Sequence, residues 1–166
     1  MEYKLELVLV PVTDVDRAKS FYLEQAGFAL LVDTPVGEEM RVVQVTPPGS
    51  ACSVGFGTGI TAAPPGSAQG LHLVVPDIVT ARDLLVRRGV GVSEIRHLES
   101  GAWAPGPDPQ RESYMSFADF ADPDGNMWVL QEVHRAEPAA RRRVRGGRGG
   151  GGDDRGPGGG GGDRGR

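Results

Sequence analysis

The sequence has few of the residues that build disulfides, membrane spans or thiolate metal sites. Cys52 is the single cysteine among 166 residues, which excludes an internal disulfide and a zinc site made of several cysteines. No run of 18 or more apolar residues occurs, so we expect no membrane-spanning helix. The first residues, MEYKLELVLVPVTD, predict a strand and not a signal peptide, because the apolar run is short and soon meets Pro11 and Asp14. We therefore expect a cytoplasmic protein.

Charge and glycine divide the chain into two parts. Residues 1–134 contain 9 basic and 18 acidic side chains, a net charge of −9, whereas residues 135–166 contain nine Arg and four acidic side chains, a net charge of +5. Half of the 26 glycines lie in residues 146–166. The first part has the size of one domain. Its net negative charge argues against nucleic-acid binding by this domain, because phosphate contacts need clustered Lys and Arg.

A repeat divides the acidic part into two units. Residues 7–22, LVLVPVTDVDRAKSFY, align with residues 70–85, GLHLVVPDIVTARDLL, at an offset of 63. In each copy an apolar strand is followed by an Asp, Asp14 or Asp77, placed to cap a helix. Helical spacing of apolar residues then runs to a glycine, Gly27 or Gly89, which is typical of a helix end.

Three strand-like segments follow each helix. They are FALLVD, MRVVQVT and ACSVGF in the first unit, and GVSEI, ESYMSFADF and NMWVLQEV in the second. Residues 97–111, HLESGAWAPGPDPQR, are rich in Pro and Gly and are predicted to form a long loop between strands. The sequence thus predicts the order strand, helix, three strands, twice.

Two such units resemble the vicinal oxygen chelate superfamily, which contains glyoxalases, bleomycin resistance proteins and ring-cleavage dioxygenases. The resemblance rests on PVTDVDRAKSFYLEQAGF at 11–28, VVPDIVTARDLLVRRGV at 74–90 and SFADFADPDGNMWVLQE at 116–132. It implies an α+β fold: two tandem βαβββ modules, residues about 3–57 and 70–134, forming a cupped eight-stranded mixed sheet with the helices outside. The domain is expected to span residues 1–134.

The resemblance also implies four positions for the ligands of a divalent metal. Metal-dependent members use His or Glu there, and the matching residues in this chain are Leu7, Ser53, Gly70 and Val129. Such an ion needs three or four strong donors in one place. We therefore expect no metal cofactor, with a divalent metal as the alternative. Glu6, His72 and Glu132 lie nearby, but three different shifts of register would be needed to bring them in.

The same alignment predicts the lining of the cup. Residues two apart on a strand share a face. The strand residues predicted to contact a ligand are Leu9, Ser53, His72, Met127, Val129 and Gln131. Two aromatic residues, Trp103 in the loop and Tyr114 at a strand start, are added as candidates at the rim.

Three of these residues have two interpretations each. His72 is the candidate catalytic residue, as a general base, or else a hydrogen-bonded pocket residue. Tyr114 either reaches the rim or is an ordinary half-buried strand residue. Trp103 either closes over an apolar ligand or fastens its loop to the domain.

These observations favour a metal-free protein that binds a small apolar or aromatic organic molecule in the cup. Resistance members of the family act by binding alone, often as dimers, so a homodimer is expected. One alternative is a lyase-, isomerase- or dioxygenase-like enzyme that acts through His72 or an unconventional metal. Another is a non-catalytic accessory module.

The segment 135–166 lies outside the resemblance. Its Gly and Arg content predicts a disordered tail that cannot bury enough apolar area to fold. RRRVRGGRGGGG resembles RNA-binding Arg-Gly-Gly sequence, but the segment lacks the aromatic residues that stack on bases. We therefore expect at most weak contact with nucleic acid.

Overall fold

A computed structural model describes residues 1–135. The predicted tail therefore lies, except for Arg135, outside the described residues. The first module comprises β1 (Leu7–Leu9), α1 (Val15–Ser20), a π-helical continuation of α1 (Phe21–Gln25), β2 (Ala29–Val36), β3 (Met40–Thr46) and β4 (Ser53–Thr58). The second comprises β5 (Leu71–Val75), α2 (Ile78–Arg87), β6 (Arg96–Glu99), β7 (Ala102–Pro105), β8 (Ser116–Ala121) and β9 (Met127–Glu132).

Both helices begin where the sequence predicts. The side chain of Asp14 accepts a hydrogen bond from the Arg17 amide at 3.0 Å, and that of Asp77 accepts one from the Thr80 amide at 3.0 Å. Each carboxylate satisfies an N–H group that the first helical turn leaves without a partner. Gly27, with φ of 77°, follows the first helix in the left-handed conformation that glycine adopts at little cost.

The strands form one sheet in each module. The first has the order β1-β4-β3-β2 and the second β5-β9-β8-β6-β7. The pairs β1–β4 and β5–β9 are parallel and the other pairs antiparallel, so both sheets are mixed. This confirms the predicted fold class of two βαβββ modules.

The region 97–111 differs from the prediction of a loop without strands. It contains most of a hairpin, β6–β7, whose two turn residues, Ser100 and Gly101, have φ of 51° and 82°. Positive φ at both positions matches the twist of the strands, which favours a tight hairpin. The hairpin adds a ninth strand to the eight expected. The predicted strand GVSEI contributes only an isolated bridge between Val92 and Phe120.

One hydrophobic core lies between the helices and the back faces of both sheets. Its aromatic residues are Phe21, Tyr22, Phe28, Phe56, Phe120 and Trp128, all at most 6% exposed. The Tyr22 hydroxyl donates to Oδ2 of Asp122 at 2.8 Å and accepts from Trp128 Nε1 at 3.1 Å. Burial, reinforced by the Asp122 carboxylate, raises the pKa of Tyr22 far above its usual range. The Tyr22 hydroxyl thus ties the first helix to the last two strands.

None of the helices within residues 1–135 has the length and apolarity needed to cross a membrane.

Candidate functional site

Each sheet has a second face, opposite the core, that we call its open face. The first open face consists of Leu7, Leu9, Gln44, Thr46, Ser53 and Gly55. Leu7 pairs with Ser53, and Leu9 pairs with Gly55, across the parallel β1–β4 ladder. Because Gly55 has no side chain, Leu7 and Leu9 lie over its backbone; a Cβ there would be 3.0 Å from Leu9 Cδ2. The first open face therefore combines an apolar patch, Leu7 and Leu9, with uncharged polar groups, and none of its six residues carries an ionised side chain.

The second open face consists of His72, Val74, Phe117, Asp119, Met127, Val129 and Gln131. Val129 of β9 pairs with His72 of β5 on one side and with Asp119 of β8 on the other. Gln131, two residues after Val129 on β9, pairs with Phe117 of β8. This face combines apolar groups with an imidazole, an amide and a carboxylate.

The β6–β7 hairpin extends the second open face with Arg96 and Trp103. The Trp103 ring meets the Phe117 ring edge-on, with centroids 5.4 Å apart. The Arg96 guanidinium lies 4.6 Å from the Trp103 ring centroid and forms an ion pair with Asp119. An aromatic platform and a charge pair therefore adjoin each other at one end of this face.

His72 and Gln131 form the other polar pair of the second open face. Nδ1 of His72 and Oε1 of Gln131 are 3.1 Å apart, and Gln131 Nε2 donates to the Tyr114 carbonyl at 3.3 Å. The His72 side chain is exposed, with an amide as its partner. This geometry orients the imidazole.

The other predicted ligand-contact residues occupy different environments. Trp103 and Tyr114 are 56% and 54% exposed, and Leu9 is 44% exposed. Ser53 is buried and lies 2.8 Å from Thr46, hydroxyl to hydroxyl. Tyr114 precedes β8, with φ of 72°, instead of starting the strand. Six of the eight predicted contact residues are thus on or beside the second open face, and Leu9 and Ser53 are on the first.

The residues at the family's metal positions do not fit a divalent cation. Leu7 and Val129 have no donor atom, and Gly70 lies before β5, so that His72 and not Gly70 faces Val129. Glu132 points to the back face, where it accepts a hydrogen bond from the Ile78 amide. Within residues 1–135, no three His, Cys, Asp or Glu side chains are grouped so that they could hold a metal ion. A single imidazole beside Gln131 is too weak a donor set.

A groove of about 250 Å³ separates β1 from β5, the edge strands at which the two sheets approach each other. Apolar side chains such as Val8, Val54 and Leu71 line it, together with Cys52 and His72. Of the eight predicted contact residues, His72 alone reaches this groove. The groove is thus separate from the aromatic platform.

The contacts between the modules run through the back faces. Tyr22 and Phe28 of the first module contact Trp128 at centroid distances of 6.0 and 5.7 Å. Asn126 Nδ2 also donates to the Pro11 carbonyl at 2.9 Å. The open faces consequently carry their apolar side chains toward solvent, which is unusual for an isolated domain.

Sequence reasoning missed three residues of the site: Arg96, Phe117 and Asp119. Phe117 and Asp119 alternate along a predicted strand, and the face rule applied to the other strands would have found them. Arg96 was missed with its hairpin. The sequence signal for the hairpin is the pair Ser100-Gly101 between two segments that contain apolar residues, because such a pair marks a two-residue turn.

Comparison with known proteins agrees with this architecture. The Glyoxalase/Bleomycin resistance protein/Dioxygenase superfamily model matches residues 4–130. The uncharacterized protein YetH of Bacillus subtilis (strain 168) is 29% identical over 126 residues, covering 75% of this chain and 94% of YetH.

Two solved structures from Streptomyces sp. CB03234 are similar. TnmS3, an antibiotic binding protein, is 34% identical with a TM-score of 0.63, over 80% of this chain and 98% of TnmS3. A glyoxalase/bleomycin resistance protein is 36% identical with a TM-score of 0.60, over 77% of this chain and 99% of that protein. The chain belongs to the glyoxalase/bleomycin resistance protein/dioxygenase superfamily.

Proposed function

We propose that this protein binds a small aromatic organic molecule, without a metal, on its second open face. The observation that carries the proposal is the platform of the exposed Trp103 and the half-buried Phe117 beside the Arg96–Asp119 ion pair. Stacking on aromatic rings favours a planar apolar ligand, and the few polar groups fix its orientation. The likeness to TnmS3, described as an antibiotic binding protein, supports an antibiotic or similar natural product as ligand.

We also propose that two copies of the chain complete the binding site. A sheet surface open to water buries only one side of a flat ligand, whereas small-molecule sites enclose most of their ligand. The first open face is uncharged and carries the apolar Leu7 and Leu9, and the second is aromatic and polar. When the first open face of one copy covers the second open face of its partner, an enclosed cup results. Two equal cups follow from two-fold symmetry.

Tryptophan fluorescence tests the binding proposal directly, because the two tryptophans report on different places. Trp103 is 56% exposed on the platform and Trp128 is 2% exposed in the core. Titration with a panel of aromatic natural-product antibiotics, bleomycin included, should change the emission of Trp103. A Trp103→Phe variant should keep binding and lose most of the signal, whereas Trp103→Ala should weaken binding by about tenfold.

The matched control is Tyr3→Ala, which removes an aromatic ring that is 89% exposed and distant in sequence from the platform. This variant should bind like the wild type, and a bound ligand should raise the melting temperature of both. If no member of the panel changes the fluorescence or the melting temperature, aromatic ligand binding is contradicted.

Metal analysis tests the metal-free part of the proposal. Stoichiometric Zn, Ni, Mn or Fe in purified protein would contradict it. Turnover of a bound compound that is lost in His72→Ala, with binding retained, would instead favour the enzymatic alternative.

A further inference from the structure

Among residues 1–135, one ion pair lies on the second open face and its hairpin, and it joins Arg96 to Asp119. The two side chains are 31% and 26% exposed, so both are partly shielded from water. The first open face, which would cover them in the proposed dimer, contributes no ionised residue. Any charge on a ligand would therefore meet this pair.

Backbone and side-chain contacts hold the pair in place. The Asp119 amide donates to Ser93 Oγ at 2.9 Å, and the Ser93 amide donates to the Asp119 carbonyl at 2.8 Å. Arg96 lies against the Trp103 ring on one side and donates to Asp119 through Nη1. Within residues 1–135, no acceptor forms a hydrogen bond with the other side-chain N–H groups of Arg96. Arg96 therefore keeps donors for a ligand while its charge is balanced.

We infer that Asp119 is a specificity-determining residue, which makes the site select uncharged aromatic ligands with a hydrogen-bond acceptor over anionic ones. This inference rests on the proposed function. A carbonyl or ether oxygen can accept from Arg96 without disturbing the pair. A carboxylate or sulfonate at the same place gains from Arg96 but is repelled by the Asp119 carboxylate beside it. An unpaired Arg at this position would favour the anion.

Two fluorescent probes that differ by one sulfonate test this specificity. N-phenyl-1-naphthylamine is uncharged, and 8-anilinonaphthalene-1-sulfonate is its anionic counterpart. The wild type should bind the uncharged probe about tenfold more tightly than the anion. Asp119→Asn keeps the side-chain shape and frees the charge of Arg96, so affinity for the anion should rise about tenfold while affinity for the uncharged probe changes less than about twofold. The gain should shrink as salt is added.

Asp16→Asn is the matched control. It removes the same single charge by the same exchange from an ion pair, Arg41–Asp16, on the first helix of the other module, with the Asp16 side chain 82% exposed. This variant should leave both affinities unchanged, which separates a local effect from the change in net charge. Trp103→Ala should weaken both probes, which locates them on the platform, and circular dichroism checks that each variant is folded.

Two negative outcomes have different meanings. An unchanged ratio of the two affinities in Asp119→Asn, with the uncharged probe still bound at Trp103, overturns the role of Asp119 and leaves the proposed function standing. Failure of the wild type to bind either probe contradicts an aromatic site and removes the basis of both proposals.

Discussion

Glu132 shows how one buried carboxylate supports the second module. Its side chain is fully buried. Oε1 accepts a hydrogen bond from Arg111 at 2.8 Å, and Oε2 accepts one from the Ile78 amide at 2.9 Å. The Arg111 hydrogen bonds hold the pKa of Glu132 below its ordinary value of 4.5, despite the opposing effect of burial. The same carboxylate joins the last strand, the start of α2 and the loop before β8.

We predict that Glu132→Gln lowers the free energy of unfolding near pH 7. The loss should be about 2 kcal/mol, less than for a fully buried pair, because the Arg111 side chain is 38% exposed. Since the folded-state pKa is lowered, the stabilisation is complete above the unfolded value near 4.5 and is lost as the pH falls through the folded-state pKa. Urea unfolding should show a smaller difference in free energy of unfolding between wild type and variant at pH 3 than at pH 7. Glu94→Gln, which changes an exposed carboxylate, is the control. If the difference for Glu132→Gln is the same at both pH values, the predicted pH dependence is contradicted.

The β6–β7 hairpin is the element on which the aromatic platform depends. It carries both Arg96 and Trp103, and its turn requires positive φ at Ser100 and Gly101. A Cβ on Gly101 would have no neighbour within 4 Å, so space is not the reason for glycine there. The backbone conformation is the reason, because it strains residues with a side chain, most of all β-branched ones.

We predict that Gly101→Val disrupts the hairpin and the site together. The left-handed conformation should cost about 2 kcal/mol for valine, enough to open a two-stranded element at the edge of a sheet. Affinity for the uncharged naphthylamine probe should fall at least about tenfold, with a small change in melting temperature, because the core is not touched. Gly101→Asn, which tolerates positive φ, should retain binding. Equal losses in the two variants would mean that the turn conformation is not what positions Trp103.

The elements that the sequence predicted well are those whose signals are local. Asp14 and Asp77 begin helices because a carboxylate at that point satisfies free amides, and strand alternation correctly grouped His72 with Gln131. The hairpin was missed because Pro and Gly around Trp103 suggested a loop, while its pairing with β8 depends on contacts distant in sequence. The family's metal position in the first strand of each module was located by its distance in residues from the helix cap. That distance did not reveal that His72 pairs with Val129, because the partner strand sets the register of a sheet.

At the scale of the whole molecule, the two open faces raise the question of what covers them. The modules share a core through their back faces. Exposed apolar residues remain on the open faces, among them Leu9 and Val74, each 44% exposed. A second copy with the same two faces can cover both at once. In that arrangement each cup takes one wall from each chain, which makes a distinctive prediction for mixed variants.

We predict that two variants with weakened binding regain wild-type sites when they are combined. Leu9→Asp places a charge on the first open face, and Trp103→Ala removes the platform from the second, so each variant alone has no intact cup. If copies are unfolded and refolded together, half of the dimers are mixed, and each mixed dimer has one cup with two wild-type walls. Calorimetry should then find about a quarter of the wild-type number of sites, with wild-type affinity. Sedimentation should show dimers throughout, and the variants mixed without refolding provide the control if exchange is slow. If the refolded mixture binds no better than the separate variants, both walls of the cup belong to one chain, because only a site shared between copies can be rebuilt by exchange.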